Sequence, residues 1–189
     1  MSKPPTPGPQ PIGRDTSDRL SAAKLWLVST DSPTTCGNMP YLATALYSLV
    51  PVVTEAVRDL TTDRYWRLYI NSTWIAATDI PDVAPELAHA VWHLLADHPT
   101  RADDMGIRPA TADHWRRAAD ATVAEMLAQA AIPSPVPGPA ELDLRPGRSA
   151  EEYYAVLSGL PTADDTTRPD TADAPAEENT SGGEPEDPT

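Results

Sequence analysis

Three of the chain's four histidines, His89, His93 and His98, fall within ten consecutive residues of the segment ELAHAVWHLLADHP. Imidazole nitrogens are common ligands of divalent metals, so this cluster is the most concentrated chemical signal in the sequence. His89 and His93 are four apart. On a helix their rings leave the same face about one turn from each other, and both can reach one Zn²⁺ at about 2.0–2.1 Å. That is the ligand half of the H-E-x-x-H pattern, in which glutamate follows the first histidine, takes a proton from ion-activated water and returns it to the leaving amine. Here the segment reads HAVWH, with Ala90 at the glutamate position. The spacing predicts a zinc site without its general base. A half-exposed histidine pair on an amphipathic helix has the same spacing, and both readings stand at this point.

Two residues compete to be the third ligand. His98 lies five beyond His93, about 140° further round an ideal helix, and joins only if the helix ends or bends near Asp97, as Pro99 would allow. Asp120, on the following predicted helix, is the rival and the preferred one. The flanking carboxylates Glu86 and Asp97 suit a site whose ligands are themselves hydrogen-bonded. Glu86 is a poor substitute base: it precedes His89 by three residues and points a turn away. His114 reads as a surface residue. Cys36, in TTCGN, has no histidine nearby to activate it, and no phosphate-binding glycine loop or serine nucleophile elbow is present.

The elements that would carry these residues follow from periodicity and breakers. Residues 15–29 (DTSDRLSAAKLWLVS) read as a helix with Asp15 or Ser17 as N-cap. Pro40 is placed to open a second helix, YLATALYSLV, which Pro51 ends. Residues 64–76 (RYWRLYINSTWIA) read as one or two strands with a turn near Asn71 and Ser72. Asp79 or Asp82 caps a long helix in which Val83, Leu87, Val91 and Leu94 or Leu95 form a buried stripe, with Pro99 as its stop. A further helix spans about Ala112 to Ala131. The last, SAEEYYAVLSG, opens with a capping box, Ser149 with Glu152, and closes at Gly159. The result is an α+β fold, mostly helical with a small sheet, whose HxxxH helix carries the site.

With 28 acidic and 14 basic side chains the 189-residue chain has a net charge of -14, which excludes a phosphate-binding nucleic-acid partner. No run of about 18 apolar residues exists and the first residues lack a signal-peptide core, so the expectation is a non-membrane, cytoplasmic protein. One cysteine allows no internal disulfide and no cysteine-based zinc site. Residues 1–13 hold five prolines and read as a disordered arm. Residues 161–189 hold nine acidic residues, one arginine and five prolines without one large apolar side chain, and read as a disordered acidic tail. Between them, residues 14–160 form one domain. Five tryptophans and six tyrosines must supply the aromatic volume of a core without phenylalanine.

Six blocks between Ser21 and Leu160 occur in a telling order: AAKLWLVS, MPYLATALYSLVPV, DRYWRLYINSTWIA, LAHAVWHLLADH, HWRRAADATVAEML and SAEEYYAVL. Together they resemble the zincin-like metallopeptidase domain of bacterial proteins that often end in a von Willebrand factor A-like domain. The family's fourth block is typically like H-E-V-W-H-L-L-x-D-H, so His89, His93 and His98 match while Ala90 departs. Its fifth resembles W-N-x-A-x-D-A-E-I-N-D-D-L; Trp115 and Asp120 match, but Thr122 and Ala124 stand where an acid and an amide are common. The resemblance implies a zinc-binding, peptidase-derived fold that has lost catalytic groups, a pseudoenzyme, or else a live enzyme inactivated by design at Ala90. It also implies a partner, a MoxR-type AAA+ ATPase or a separate von Willebrand factor A-like chain. The contrasting expectation is a non-catalytic interaction module whose acidic tail recruits that partner.

Overall fold

The computed structural model describes residues 12–29 and 39–160. The acidic tail, most of the N-terminal arm and the loop with Cys36 lie outside the described residues. Helix α1 (Arg14–Val28) starts after Gly13, without a side-chain cap from Asp15 or Ser17, and Ile12 packs on the main core. A single turn of tighter helix (Pro40–Leu42) leads into the short α2 (Ala43–Ser48). The predicted second helix therefore stops three residues before Pro51, because the chain from Val50 to Val53 is strand β1 and carries Pro51 within it. β1 lies at the edge of the sheet, where a missing N–H is tolerated.

Strands β2 (Leu60–Thr62) and β3 (Arg67–Ile70) complete a sheet of order β1-β3-β2, with β1 parallel and β2 antiparallel to the central β3. The expected turn at Asn71 is instead the cap of α3 (Ser72–Ala77): the Asn71 side chain accepts from the Trp74 N–H at 3.0 Å and donates to the Val57 carbonyl at 2.9 Å. An Asx side chain starts a turn and a helix with the same hydrogen bond, which is why the sequence pointed to the wrong element.

Helix α4 (Ile80–Leu95) follows Asp79, and its Val83, Leu87 and Val91 are fully buried against Leu20, Ala23 and Leu27 of α1 and against Leu68 and Ile70 of β3. Of the alternative stripe residues, Leu94 is buried and Leu95 is exposed. Pro99 does not end α4. Asp97 adopts a left-handed conformation (φ 53°), and Pro99 then opens α5 (His98–Asp104) in the first-turn position that a proline favours. Helix α6 (Ala112–Gln129) sends Val123 and Leu127 into the main core and Trp115, Ala118 and Ala121 into a second cluster with Tyr153 and Tyr154 of α7 (Ala150–Leu157). Trp115, Tyr153 and Tyr154 are buried, whereas Tyr41, Tyr47 and Tyr65 are exposed, so only some of the aromatic residues supply core volume.

The capping box on α7 is present as expected: Ser149 Oγ accepts from the Glu152 N–H at 3.2 Å, and the Ser149 N–H donates to the Glu152 carboxylate at 2.8 Å. Ser149→Ala should lower unfolding free energy by about 1 kcal/mol in a urea titration, since it leaves one helix donor without its acceptor. No helix among the described residues is long and apolar enough to cross a membrane.

Candidate metal centre

Two helices meet at the site. His89 and His93 stand one turn apart on α4, and Asp120, 8 % exposed, reaches them from the middle of α6. Their donor atoms form a small triangle. His89 Nε2 lies 3.0 Å from His93 Nε2, and Asp120 Oδ1 lies 3.4 Å from the first and 3.2 Å from the second. These three residues form the one His/Asp group among the described residues that could hold a metal ion. Bonds of about 2.0–2.1 Å in a tetrahedral zinc site separate neighbouring donors by about 3.3 Å. The three sides of the triangle straddle that value, so the residues present fit the ion that the sequence suggests, with a fourth corner left over.

His98 is placed differently. It is only 2 % exposed and sits behind His93, with its Nδ1 2.9 Å from His93 Nδ1 and its Nε2 3.3 Å from Thr122 Oγ1. The left-handed turn at Asp97 swings it back towards α4, as the sequence required for any contact, but to the outer edge of the His93 ring rather than to the triangle. The Trp115 ring closes over it, edge on, at 6.3 Å.

Electrostatics follow from this burial. Desolvation alone would raise the Asp120 carboxyl, but hydrogen bonds from His89 and His93 outweigh it and hold the group below the usual carboxylate range. Burial lowers His93, with a further push from His89. His98 is lowered to about 3 by burial, then by His93 and Arg101, so it is neutral at pH 7. Arg101 itself is held by Glu151 at the foot of α7.

A cavity of about 590 Å³ opens onto the triangle and is also lined by Ala90, Glu86, Thr62, Trp115 and Arg116. Ala90 is 6 % exposed, and its carbonyl accepts a hydrogen bond from Thr62 Oγ1 on the edge strand β2 at 3.2 Å, so this turn of α4 is tied to the sheet. Glu86, one turn earlier, is raised by burial. It lines the same cavity and interacts electrostatically with His89, about one turn before the position of the pattern's glutamate. His114 is half-buried, with Nδ1 3.3 Å from Ser158 Oγ, and takes no part in the site.

Two participants escaped the sequence reading. Arg116 stands 3.6 Å from Asp120 Oδ2, a contact that its position four residues before Asp120 could have suggested. Thr122 was seen only as a departure from a family pattern, and no local signal ties it to His98, 24 residues away. No curated protein and no solved structure matches the chain. A family model does, over residues 17–187, its description being "Putative metallopeptidase domain". A match of that length, on a fold whose HxxxH helix faces a carboxylate from the next long helix, makes the chain a member of this metallopeptidase-domain family.

Proposed function

We propose that the domain binds one zinc ion through His89 Nε2, His93 Nε2 and Asp120 Oδ1, and that with Ala90 in place of glutamate it is a degenerate peptidase. The observation that carries this reading is the donor triangle, with sides of 3.0, 3.2 and 3.4 Å. Zinc bound there would supply Lewis acidity towards a substrate carbonyl or water. Asp120 contributes a full negative charge, and Arg116 beside its other oxygen steadies the carboxylate. What the cavity lacks is a proton carrier in the position after His89. Ala90 has no titratable group, the Thr62 hydroxyl is occupied by the Ala90 carbonyl, and Glu86 lines the cavity about one turn before the glutamate's usual place. Positioned proton transfer is worth a factor of about 10²–10⁴, so peptide turnover should be slow or absent.

Metal analysis of the purified chain, followed by zinc titration after chelation, tests the first half. About one zinc per chain is the expected result, and no binding at millimolar zinc would end the reading. Ala90→Glu tests the second half. The variant should gain less than about tenfold in hydrolysis of a generic peptide, because Thr122 and Ala124 also stand where the family's pattern has polar groups. A gain of about 10²-fold or more would identify Ala90 as the sole defect. The same missing proton carrier favours a second reading, a zinc-stabilised interaction module serving a MoxR-type AAA+ ATPase or a von Willebrand factor A-like partner. Co-purification with such a partner, retained in Ala90→Glu, is its expected signature.

A further inference from the structure

We propose that His98 and Thr122 are positioning residues for His93, joined to it by a hydrogen-bond chain of fixed direction that aims the His93 Nε2 lone pair into the donor triangle. Both the direction of this chain and its purpose rest on the zinc reading, because without the ion His93 Nε2 faces the Asp120 carboxylate as a hydrogen-bond donor. The argument starts at Thr122. Its hydroxyl donates to the Ala119 carbonyl one turn back on α6, at 2.8 Å. A hydroxyl has one hydrogen, so the longer contact with His98 Nε2, at 3.3 Å, is one in which oxygen accepts and the ring N–H donates. A neutral imidazole carries a single proton. With that proton on Nε2, His98 Nδ1 presents a lone pair to His93 Nδ1, 2.9 Å away.

Two ring nitrogens at that separation share one hydrogen, and it must belong to His93. With zinc in the triangle the remaining nitrogen of His93, Nε2, is then unprotonated, and it is the atom 3.2 Å from Asp120 Oδ1 and 3.0 Å from His89 Nε2. A ligand histidine works in this state, with one nitrogen free and the other donating to a fixed acceptor. The acceptor here is unusual in being a second histidine. Both of its nitrogens are occupied, so His98 is not a ligand itself. Its burial under Trp115 keeps water from competing for the shared hydrogen. The whole chain runs from the α6 backbone through Thr122 and His98 to α4, so the same helix that brings Asp120 also sets the orientation of His93.

The test uses the full-length, zinc-loaded protein labelled with ¹⁵N-histidine, in which long-range proton–nitrogen spectra report the tautomer of each ring. The expected pattern is Nε2–H for His98 and Nδ1–H for His93; the reverse pair of tautomers overturns the proposal. Zinc affinity supplies a second readout. His98→Leu should weaken binding by about 10–100-fold. His98→Asn, whose carboxamide oxygen can accept from His93 Nδ1, should recover most of the loss. Equal losses in both folded variants, or none in either, also overturn it. Should His98→Leu fail to fold, Thr122→Val keeps the side-chain shape without the hydroxyl and should convert His98 to a mixture of tautomers; an unchanged spectrum counts against the chain. Failure of the unaltered protein to bind zinc refutes the zinc reading and this proposal with it, whereas zinc binding with the reverse tautomers refutes the proposal alone.

Discussion

Replacing His89 and His93 together with alanine should abolish zinc binding, taking affinity below what a micromolar titration detects. The two nitrogens occupy two corners of the donor triangle, and what remains is one carboxylate with Arg116 beside it, 3.6 Å away. A lone carboxylate already paired with a cation has little reason to dehydrate a divalent ion. Binding also acts on stability: zinc at 100 times its dissociation constant adds about 2.7 kcal/mol to the folded state. The zinc-dependent rise in melting temperature should therefore be clear in the unaltered protein and vanish in the double variant. The apo double variant should itself be weakened by about 1–3 kcal/mol, since buried Asp120 loses both imidazole partners. Stoichiometric zinc binding that survives the double replacement would place the site elsewhere.

Acid should destabilise the metal-free protein well before its carboxylates titrate. His98 is held at about 3 in the folded state by burial and by His93 and Arg101, against about 6.5 when unfolded. Below pH 6.5 the unfolded chain takes up a proton that the folded one refuses, so the stability from this group is complete above 6.5 and falls as pH drops towards 3. Between pH 7 and pH 5 the loss is about 2 kcal/mol. His93 is also lowered and adds a change of the same sign. Carboxylates held low by their partners, such as Glu151 beside Arg101, stay ionised in both states over most of this window and contribute little. Urea unfolding at pH 7 and pH 5 measures the drop. His98→Leu should flatten it by about 2 kcal/mol, and an equally steep loss in that variant would assign the sensitivity to other groups.

The helices were legible chiefly from their apolar spacing. α4 shows its stripe of Val83, Leu87 and Val91, and Ser149 with Glu152 announces α7. Two of the residues in the donor triangle were legible for the same reason, since i,i+4 spacing on a helix fixes the relation of His89 to His93. Asp120 could be named as a candidate, but only packing of α6 on α4 brings it to 3.2 and 3.4 Å. The sheet was mostly illegible. β1 contains a proline, β2 is three residues long, and neither offers enough alternation to separate a strand from a loop. α5 was hidden by the double meaning of proline, which follows one helix and opens the next with equal ease. The position of His98 hangs on one backbone torsion at Asp97, which no residue pattern encodes.

That left-handed turn makes the inner and outer parts of the site separable in evolution. The backbone positions of the three donor residues depend on how α4 packs against α6, whereas His98 depends on the length of the Ala96–Asp97 joint. A one-residue insertion there would rotate α5 and carry His98 away from His93, yet leave both α4 histidines and Asp120 where they are. Zinc affinity is thus adjustable through the outer support while the helices that carry the inner donors stay in place. Asparagine or glycine at position 97, which accept the same torsion, are the replacements expected wherever that support is retained.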